Sequence, residues 1–128
     1  MNMKFDNQRK FQTISFDGKA YLKFANHSYD SCQIKHLCLT GFFIKGDFLK
    51  CRARNCSVQI FHTDEHGNNS LKASAKVILQ NDKGIGLNFT EMTFENYLLL
   101  QTILINKSKS PEIILRELPN NSPFFISD

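Results

Sequence analysis

The amino-acid sequence predicts a mainly β fold, in which six antiparallel strands close into a small barrel that a later α-helix covers. Three observations predict this fold class. Several segments alternate apolar and polar residues with period two, their connections have hairpin length, and the periodicity becomes helical after Thr93. Closure into a barrel is expected because it removes exposed strand edges.

The first two strands have the clearest pattern. In ISFDGKAYLKF, residues 14–24, apolar side chains occupy nearly every second position and polar ones lie between them, as is typical of a half-buried strand. Residues 26–28 are turn formers, so we expect a hairpin leading into YDSCQIKHL, residues 29–37. Within that second strand, Cys32 and Ile34 should face inward.

Four shorter segments complete the predicted barrel. They are GFFIKG (41–46), SVQIFH (57–62), LKASAKVILQ (71–80) and IGLNF (85–89). A basic connection at 47–56 precedes the second of them, and TDEHGNNS at 63–70 is predicted to be a polar hairpin loop. Residues 81–84, NDKG, give a tight-turn signal.

A covering helix is predicted near residues 93–106. Thr93 is a favourable N-cap, Glu95 suits the positive end of the helix dipole, and FENYLLLQTILI carries a broad apolar face. We expect this face to cover one mouth or side of the barrel, with part of it left for a partner. Residues 112–118 could form a short second helix, and the terminal FFISD could dock or form an exposed contact patch.

Length and composition predict one domain. The 128 residues, 41% of them hydrophobic, suffice for a single core. We assign residues 1–118 to it, with 1–13 as a flexible basic N-terminal segment, and residues 119–128 to a C-terminal tail. Because no apolar run approaches the ~20 residues of a spanning helix and the N-terminus lacks a signal-like segment, we expect a soluble cytoplasmic protein with thiol cysteines.

The net charge of +4 is unevenly distributed along the chain. Residues 1–54 hold ten Lys/Arg and four Asp/Glu, whereas residues 55–128 hold six and eight. A basic first half suits a small anionic ligand or an acidic partner. The alternative is a solvated surface with chance asymmetry.

Two sets of Cys and His residues have the chemistry of metal ligands. One has zinc-like spacing within each pair, but the interval between its pairs is too short for a finger and no helix is predicted to carry its histidines. The members of the other set have in common only that their positions should fall on the same face of the predicted strand. The sets are Cys51, Cys56, His62 and His66, and Cys32, His36 and Cys38. We therefore expect no metal site.

Catalytic and nucleotide-binding motifs of the common kinds are missing from the sequence. It has no nucleophile elbow, paired carboxylates, phosphate-binding loop or dinucleotide fingerprint, so we expect neither enzymatic activity nor a cofactor. Nucleic-acid binding is a weaker alternative. The alternation of the predicted strands turns Phe16, Phe24 and Phe89 toward the core. The outward-facing positions hold Lys and Ser instead of rings on which bases could stack.

Four stretches resemble PilZ domains, which are bacterial cytoplasmic receptors for cyclic di-GMP. QRKFQTISFDGKAYL is similar to the basic segment that leads into the family's first strand, and IKHLCLTGFFI to the turn after the second. GIGLNFTEMTFENYLLLQTIL resembles the last strand with its acidic exit and covering helix, and LINKSKSPEIILREL the extension of small single-domain members. The resemblance covers about residues 8–118 and implies a PilZ-like barrel, cyclic di-GMP as ligand, and a signalling or adaptor role.

The family's first ligand motif is Arg-x-x-x-Arg, in which guanidinium groups bind phosphate and stack on guanine. The resemblance places Arg9 at the first position and Thr13 at the second, so one guanidinium is absent. Lys10 keeps a positive charge nearby, but it lacks the planar fork.

The second motif is Asp/Asn-x-Ser-x-x-Gly, which combines a reader of the guanine edge, a hydroxyl and a turn glycine. Here it is His36-x-Cys38-x-x-Gly41, so only the glycine matches. His36 could still offer a hydrogen bond with different geometry, whereas the thiol of Cys38 is a weak substitute for a hydroxyl.

Both ligand motifs are thus degraded, whereas the residues that the fold needs are present. The sequence predicts a PilZ-type signalling protein with weak or lost cyclic di-GMP binding. The alternative is an adaptor that does not bind the nucleotide and contacts a protein partner through the apolar helix or the C-terminal tail.

Overall fold

Seven strands and two helices make up the part of the chain that the computed structural model describes, residues 13–64, 67–117 and 124–127. The strands are β1 (Ile14–Lys23), β2 (Ser28–Leu37), β3 (Gly41–Lys45), β4 (Asn55–Asp64), β5 (Gly67–Asn81), β6 (Gly84–Thr93) and β7 (Phe125–Ser127). The helices are α1 (Phe94–Lys107) and α2 (Pro111–Glu117).

Strands β1 to β6 close into a barrel. They follow the order β3-β2-β1-β4-β5-β6, and β3 also pairs with β6, so every neighbouring pair in the ring is antiparallel. The predicted fold class, a closed six-stranded barrel with a covering helix and a short second helix, is confirmed.

The period-two pattern of β1 places its apolar residues in the core. Ile14, Phe16, Ala20 and Leu22 are at most 6% exposed, as their alternation predicts. In β2 the pattern is less regular. Ile34 is buried as predicted, but Cys32 is only half-buried, because it follows Ser31, whose φ of 51° breaks the regular pleat.

The hairpin between β4 and β5 is longer than the sequence predicts. Most of the expected loop at 63–70 is strand, since Thr63 pairs with Asn68 and donates a hydrogen bond from Oγ1 to its Oδ1 at 2.7 Å. β4 also begins earlier, at Asn55, which pairs with Lys76. Pairing with an existing neighbour extends these polar segments as strands in spite of their turn-like composition.

Helix α1 begins as the sequence predicts. The Oγ1 of Thr93 accepts a hydrogen bond from the backbone N–H of Asn96 at 3.2 Å, and Glu95 lies in the first turn. The buried side of the helix contacts β1, β5 and β6. The residues on that side are Tyr97, Leu100, Ile103 and Leu104.

The end of the C-terminal tail docks on the barrel. β7 pairs in parallel with β6 over Glu91 to Thr93, on the edge that β3 leaves uncovered beyond Asn88. The ring of Phe124 packs edge-on against two buried rings, Phe89 at 5.7 Å and Tyr97 at 5.6 Å. The docked segment still presents Phe125 to solvent, at 63% exposure.

Candidate functional site

The turn at 36–41, where the sequence analysis places the second predicted ligand motif, joins the end of β2 to the start of β3. The backbone N–H of Cys38 donates to the carbonyl of Gly41 at 2.9 Å and closes the turn. The carbonyl of Thr40 accepts from the N–H of Phe89 at 2.8 Å and fixes the turn to β6. Both bonds make the turn a continuation of the barrel wall.

Gly41 is required by a close approach between strands. A Cβ atom at this position would lie 2.0 Å from the carbonyl oxygen of Leu87 and 2.9 Å from the Cα of Asn88, both in β6. No side chain fits such a contact. The glycine therefore serves the β3–β6 pairing that closes the barrel, whatever the turn binds.

The thiol of Cys38 is used inside the turn. Cys38 is 4% exposed, and its Sγ lies 3.1 Å from the Oγ1 of Thr40. The position that carries a ligand-supporting hydroxyl in the family motif thus holds a buried sulfur with a local partner.

Four of the six predicted ligand positions lie at one end of the β1–β2–β3 ladder. Thr13 is exposed and directly precedes β1, whose first residue pairs opposite Leu37. His36 is half-buried between Ser15 of β1 and Phe43 of β3. Together with Cys38 and Gly41 they form one locus. The other two predicted residues, Arg9 and Lys10, lie outside the described residues.

A cluster of aromatic and thiol side chains, which the sequence did not predict, fills the opposite end of the barrel. His27 stacks on Phe24 at 5.2 Å, and Tyr29 packs against Phe48 at 5.1 Å. The Sγ of Cys51 lies 3.9 Å from the Nε2 of His27. The β1–β2 turn and the 47–56 connection meet here because β1 and β3 both end at this side of the barrel.

Two other cysteines, the half-buried Cys32 and the buried Cys56, have thiols that are poor nucleophiles. Burial, with a smaller contribution from Cys51, raises the pKa of Cys56 to about 12, and burial followed by Asp30 raises the pKa of Cys32. Burial and then Cys51 likewise raise the pKa of Tyr29. A thiol that stays protonated neither attacks a substrate nor binds a metal readily.

The proposed metal ligands do not come together in the described residues. Over residues 13–64, 67–117 and 124–127, no three His, Cys, Asp or Glu side chains are arranged to hold a metal ion. His66, one member of the zinc-like set, lies outside these ranges. The same ranges contain no helix long and apolar enough to cross a membrane.

The outer surface of β1, β4 and β5 is basic and carries an exposed ring that the sequence interpretation missed. Phe61 points outward and is 43% exposed, as follows from the inward parity of Val58 and Ile60 on the same strand. A groove of about 460 Å³ crosses this surface, and its lining includes Tyr21, Lys23 and Lys72. The alternation of SVQIFH would have identified Phe61 had it been applied to that strand.

The comparisons with known proteins support the fold and go no further. No protein-family model matches the sequence, and no curated protein matches it. Among solved structures, the fold is similar to the crystal structure of an uncharacterized protein from Legionella, with a TM-score of 0.51 and 17% sequence identity. The match covers 74% of this chain and 91% of the Legionella chain. This structural similarity supports a small closed β-barrel fold and nothing more specific.

Proposed function

We propose that this chain is a non-catalytic, cytoplasmic signalling domain of the PilZ type in which cyclic di-GMP binding is weak or lost. The observation that carries the proposal is the state of the turn at 36–41. Its glycine is kept for barrel closure, while Cys38 is buried against Thr40 and offers no polar group to a guanine edge. A turn that retains the glycine needed for the fold, but lacks the side chains that would hydrogen-bond guanine, fits a receptor fold with a weakened ligand site.

The size of the expected loss follows from the missing contacts. One charge-assisted hydrogen bond contributes about 1.5–3 kcal/mol, and the replacements at Thr13, His36 and Cys38 remove two or three contacts of this kind. Even about 3 kcal/mol in total weakens binding roughly a hundredfold. A micromolar receptor would then bind little nucleotide at signalling concentrations.

Calorimetric titration of the full chain with cyclic di-GMP tests the proposal. We expect no saturable heat up to about 100 μM ligand, because a dissociation constant above about 100 μM, equivalent to a binding free energy weaker than about −5.5 kcal/mol, is too weak to detect well. A variant that restores the family pattern, Thr13→Arg with His36→Asn and Cys38→Ser, should gain micromolar binding. Adding Arg9→Ala to that variant should remove the binding again.

Two results would contradict the proposal in different ways. Tight, saturable binding by the unmodified chain would show that the turn still reads the nucleotide. A restored variant that is folded, as judged by its circular dichroism and thermal midpoint, yet binds nothing would remove the PilZ assignment itself.

Exposed apolar side chains on α1 favour a signalling domain that acts by binding a protein partner. Phe94 and Leu98, four residues apart on α1, are 56% and 44% exposed and lie on one helix face. A partner that docks there should be lost from affinity purifications with Phe94→Glu and Leu98→Glu. Lys107→Glu, exposed on the opposite face of α1 and equal in its change of net charge, serves as the control and should retain it. An unchanged set of partners would exclude this surface.

A further inference from the structure

We propose that the outer face of β1, β4 and β5 binds single-stranded nucleic acid. This basic face consists of the outward side chains within residues 19–23, 55–61 and 70–76, which the pairings of β4 with β1 and β5 bring side by side. It is separate from the turn at 36–41, so the inference does not depend on the proposed function.

Charge of one sign is concentrated on the basic face. Lys19 and Lys23 of β1 and Lys72 and Lys76 of β5 are all exposed. The remaining outward positions within 19–23, 55–61 and 70–76 are Ser, Asn, Gln, Tyr or Phe, so none of these positions carries a carboxylate. Four positive charges therefore lie on one polar surface, and the groove of about 460 Å³ crosses the part of it that carries Lys23 and Lys72.

Two carboxylates lie outside the boundary of the basic face. Glu91 of β6 is the neighbour of Ser74 across the β5–β6 pairing. Asp17 precedes the paired part of β1, and its Oδ1 accepts a hydrogen bond from the Nε2 of Gln33 at 3.1 Å. Glu91 also lines the groove on its β6 side, so the two carboxylates limit the positive surface to the three strands.

The aromatic rings alternate with the lysines. Lys19 is the cross-strand partner of Phe61. Tyr21 is the partner of Gln59, which in turn is the partner of Lys72 on the next strand. Since cross-strand neighbours have Cβ atoms about 5 Å apart, Phe61 lies within reach of the Lys19 ammonium group, and Tyr21 lies between Lys19 and Lys23 on the same face of β1.

This combination favours nucleic acid over an acidic protein segment. Proteins that bind single strands without sequence preference use cations along the phosphates and rings on which the bases stack. An acidic peptide would engage the lysines alone and would give no role to Phe61, a large apolar ring that is 43% exposed at the end of the basic face, opposite Lys19. The basic face offers both the cations and the rings on one surface of the sheet.

Fluorescence anisotropy of a labelled fifteen-nucleotide oligothymidylate, titrated with the full chain, tests the inference. At 50 mM salt we expect saturable binding. Because each phosphate neutralised on a single strand contributes about −0.7 to the slope of log K against log salt, four lysines predict a slope of about −3.

Matched variants locate the site. Lys23→Glu with Lys72→Glu should weaken binding at least about tenfold and flatten the salt slope by about 1.4. The control, Lys35→Glu with Lys45→Glu, changes the net charge equally on exposed positions of β2 and β3 and should have less than about a twofold effect. Phe61→Ala should weaken binding about tenfold with an unchanged salt slope, because it removes stacking and no charge.

Several outcomes would overturn the inference. One is the absence of saturable binding at 50 mM salt with protein up to about 100 μM, which corresponds to −5.5 kcal/mol. Another is an equal loss in the control pair, which would indicate diffuse attraction. Tighter binding of a polyglutamate peptide than of the oligonucleotide, or binding that Phe61→Ala leaves unchanged, would assign the face to acidic proteins or to polyanions in general.

Discussion

The side-chain carbonyl of Asn96 accepts a hydrogen bond from the backbone N–H of Lys72 at 2.9 Å. The same residue donates from its Nδ2 to the Oγ1 of Thr93 at 2.7 Å and from its backbone N–H to the same oxygen at 3.2 Å. Asn96 thus joins the N-cap of α1 to the part of β5 that lies beyond its last β6 partner, Ser74 opposite Glu91.

Replacing Asn96 should weaken the connection between α1 and β5. Asn96→Ala removes the partner of the Lys72 N–H and one bond to Thr93, so we expect a loss of about 1–2 kcal/mol in the free energy of unfolding. Asn96→Asp keeps the acceptor near the positive end of the helix dipole and should cost less. Urea denaturation measures both, and equal losses would show that the acceptor is unimportant.

Gly41→Ala should destabilise the barrel strongly. The added Cβ would meet the carbonyl of Leu87 at 2.0 Å, a backbone contact that can be relieved only by shifting a strand, at a cost of about 3 kcal/mol or more. Gly86→Ala is the control, because the atom nearest to its Cβ would be the side-chain Cβ of Leu79, at 3.2 Å. Thermal unfolding should give a smaller loss for the control, and the reverse ranking would contradict the steric explanation.

The docked tail provides a comparison between adjacent phenylalanines. Phe124→Ala removes a half-buried ring that packs on Phe89 and Tyr97, so we expect a loss of about 1–2 kcal/mol, less than for a fully buried ring. Phe125→Ala removes a ring that is 63% exposed and should change stability by less than about 0.5 kcal/mol. Chemical denaturation of the two variants tests this, and similar effects would show that the tail is not held by the Phe124 contact.

Stability should fall in alkaline solution. Burial raises the pKa of Cys56 from 9.0 to about 12, so above about pH 9 the unfolded state loses this proton before the folded state does. The free energy of unfolding then decreases as the pH rises from about 9 to 12, by at most about 1.4 kcal/mol per pH unit for one group. Below pH 9 the thiol is protonated in both states and contributes no slope.

Urea denaturation between pH 8 and 10.5 measures this dependence. Cys56→Ala should flatten it without removing it, because burial also raises the pKa of Cys32 and Tyr29. Because Cys56→Ala also removes part of a small buried side chain, the test compares the pH slopes of the two proteins and not their absolute stabilities. Identical slopes in the two proteins would show that Cys56 does not titrate differently on folding.

Much of the fold could be predicted because it depends on local patterns. The alternation in β1, the turn at 81–84 and the N-cap at Thr93 each act over a few residues, and all three have their expected structural form. The polar segment at 63–70 could not be predicted as strand. Its two halves pair with each other because they extend the ladder between the earlier part of β4 and the later part of β5, which the turn-like composition of the segment does not indicate.

The candidate sites depend on distances that sequence spacing does not contain. The sequence by itself determined only that Thr13, His36 and Cys38 occupy the positions at which the resemblance to PilZ domains predicts ligand readers, and that a glycine, Gly41, stands between the second and third predicted strands. Only the tertiary structure decided that Gly41 serves the contact with Leu87 and that Phe61 stands among the lysines of β1 and β5. The physical reason is barrel closure, which brings strands distant in sequence to within about 5 Å of each other.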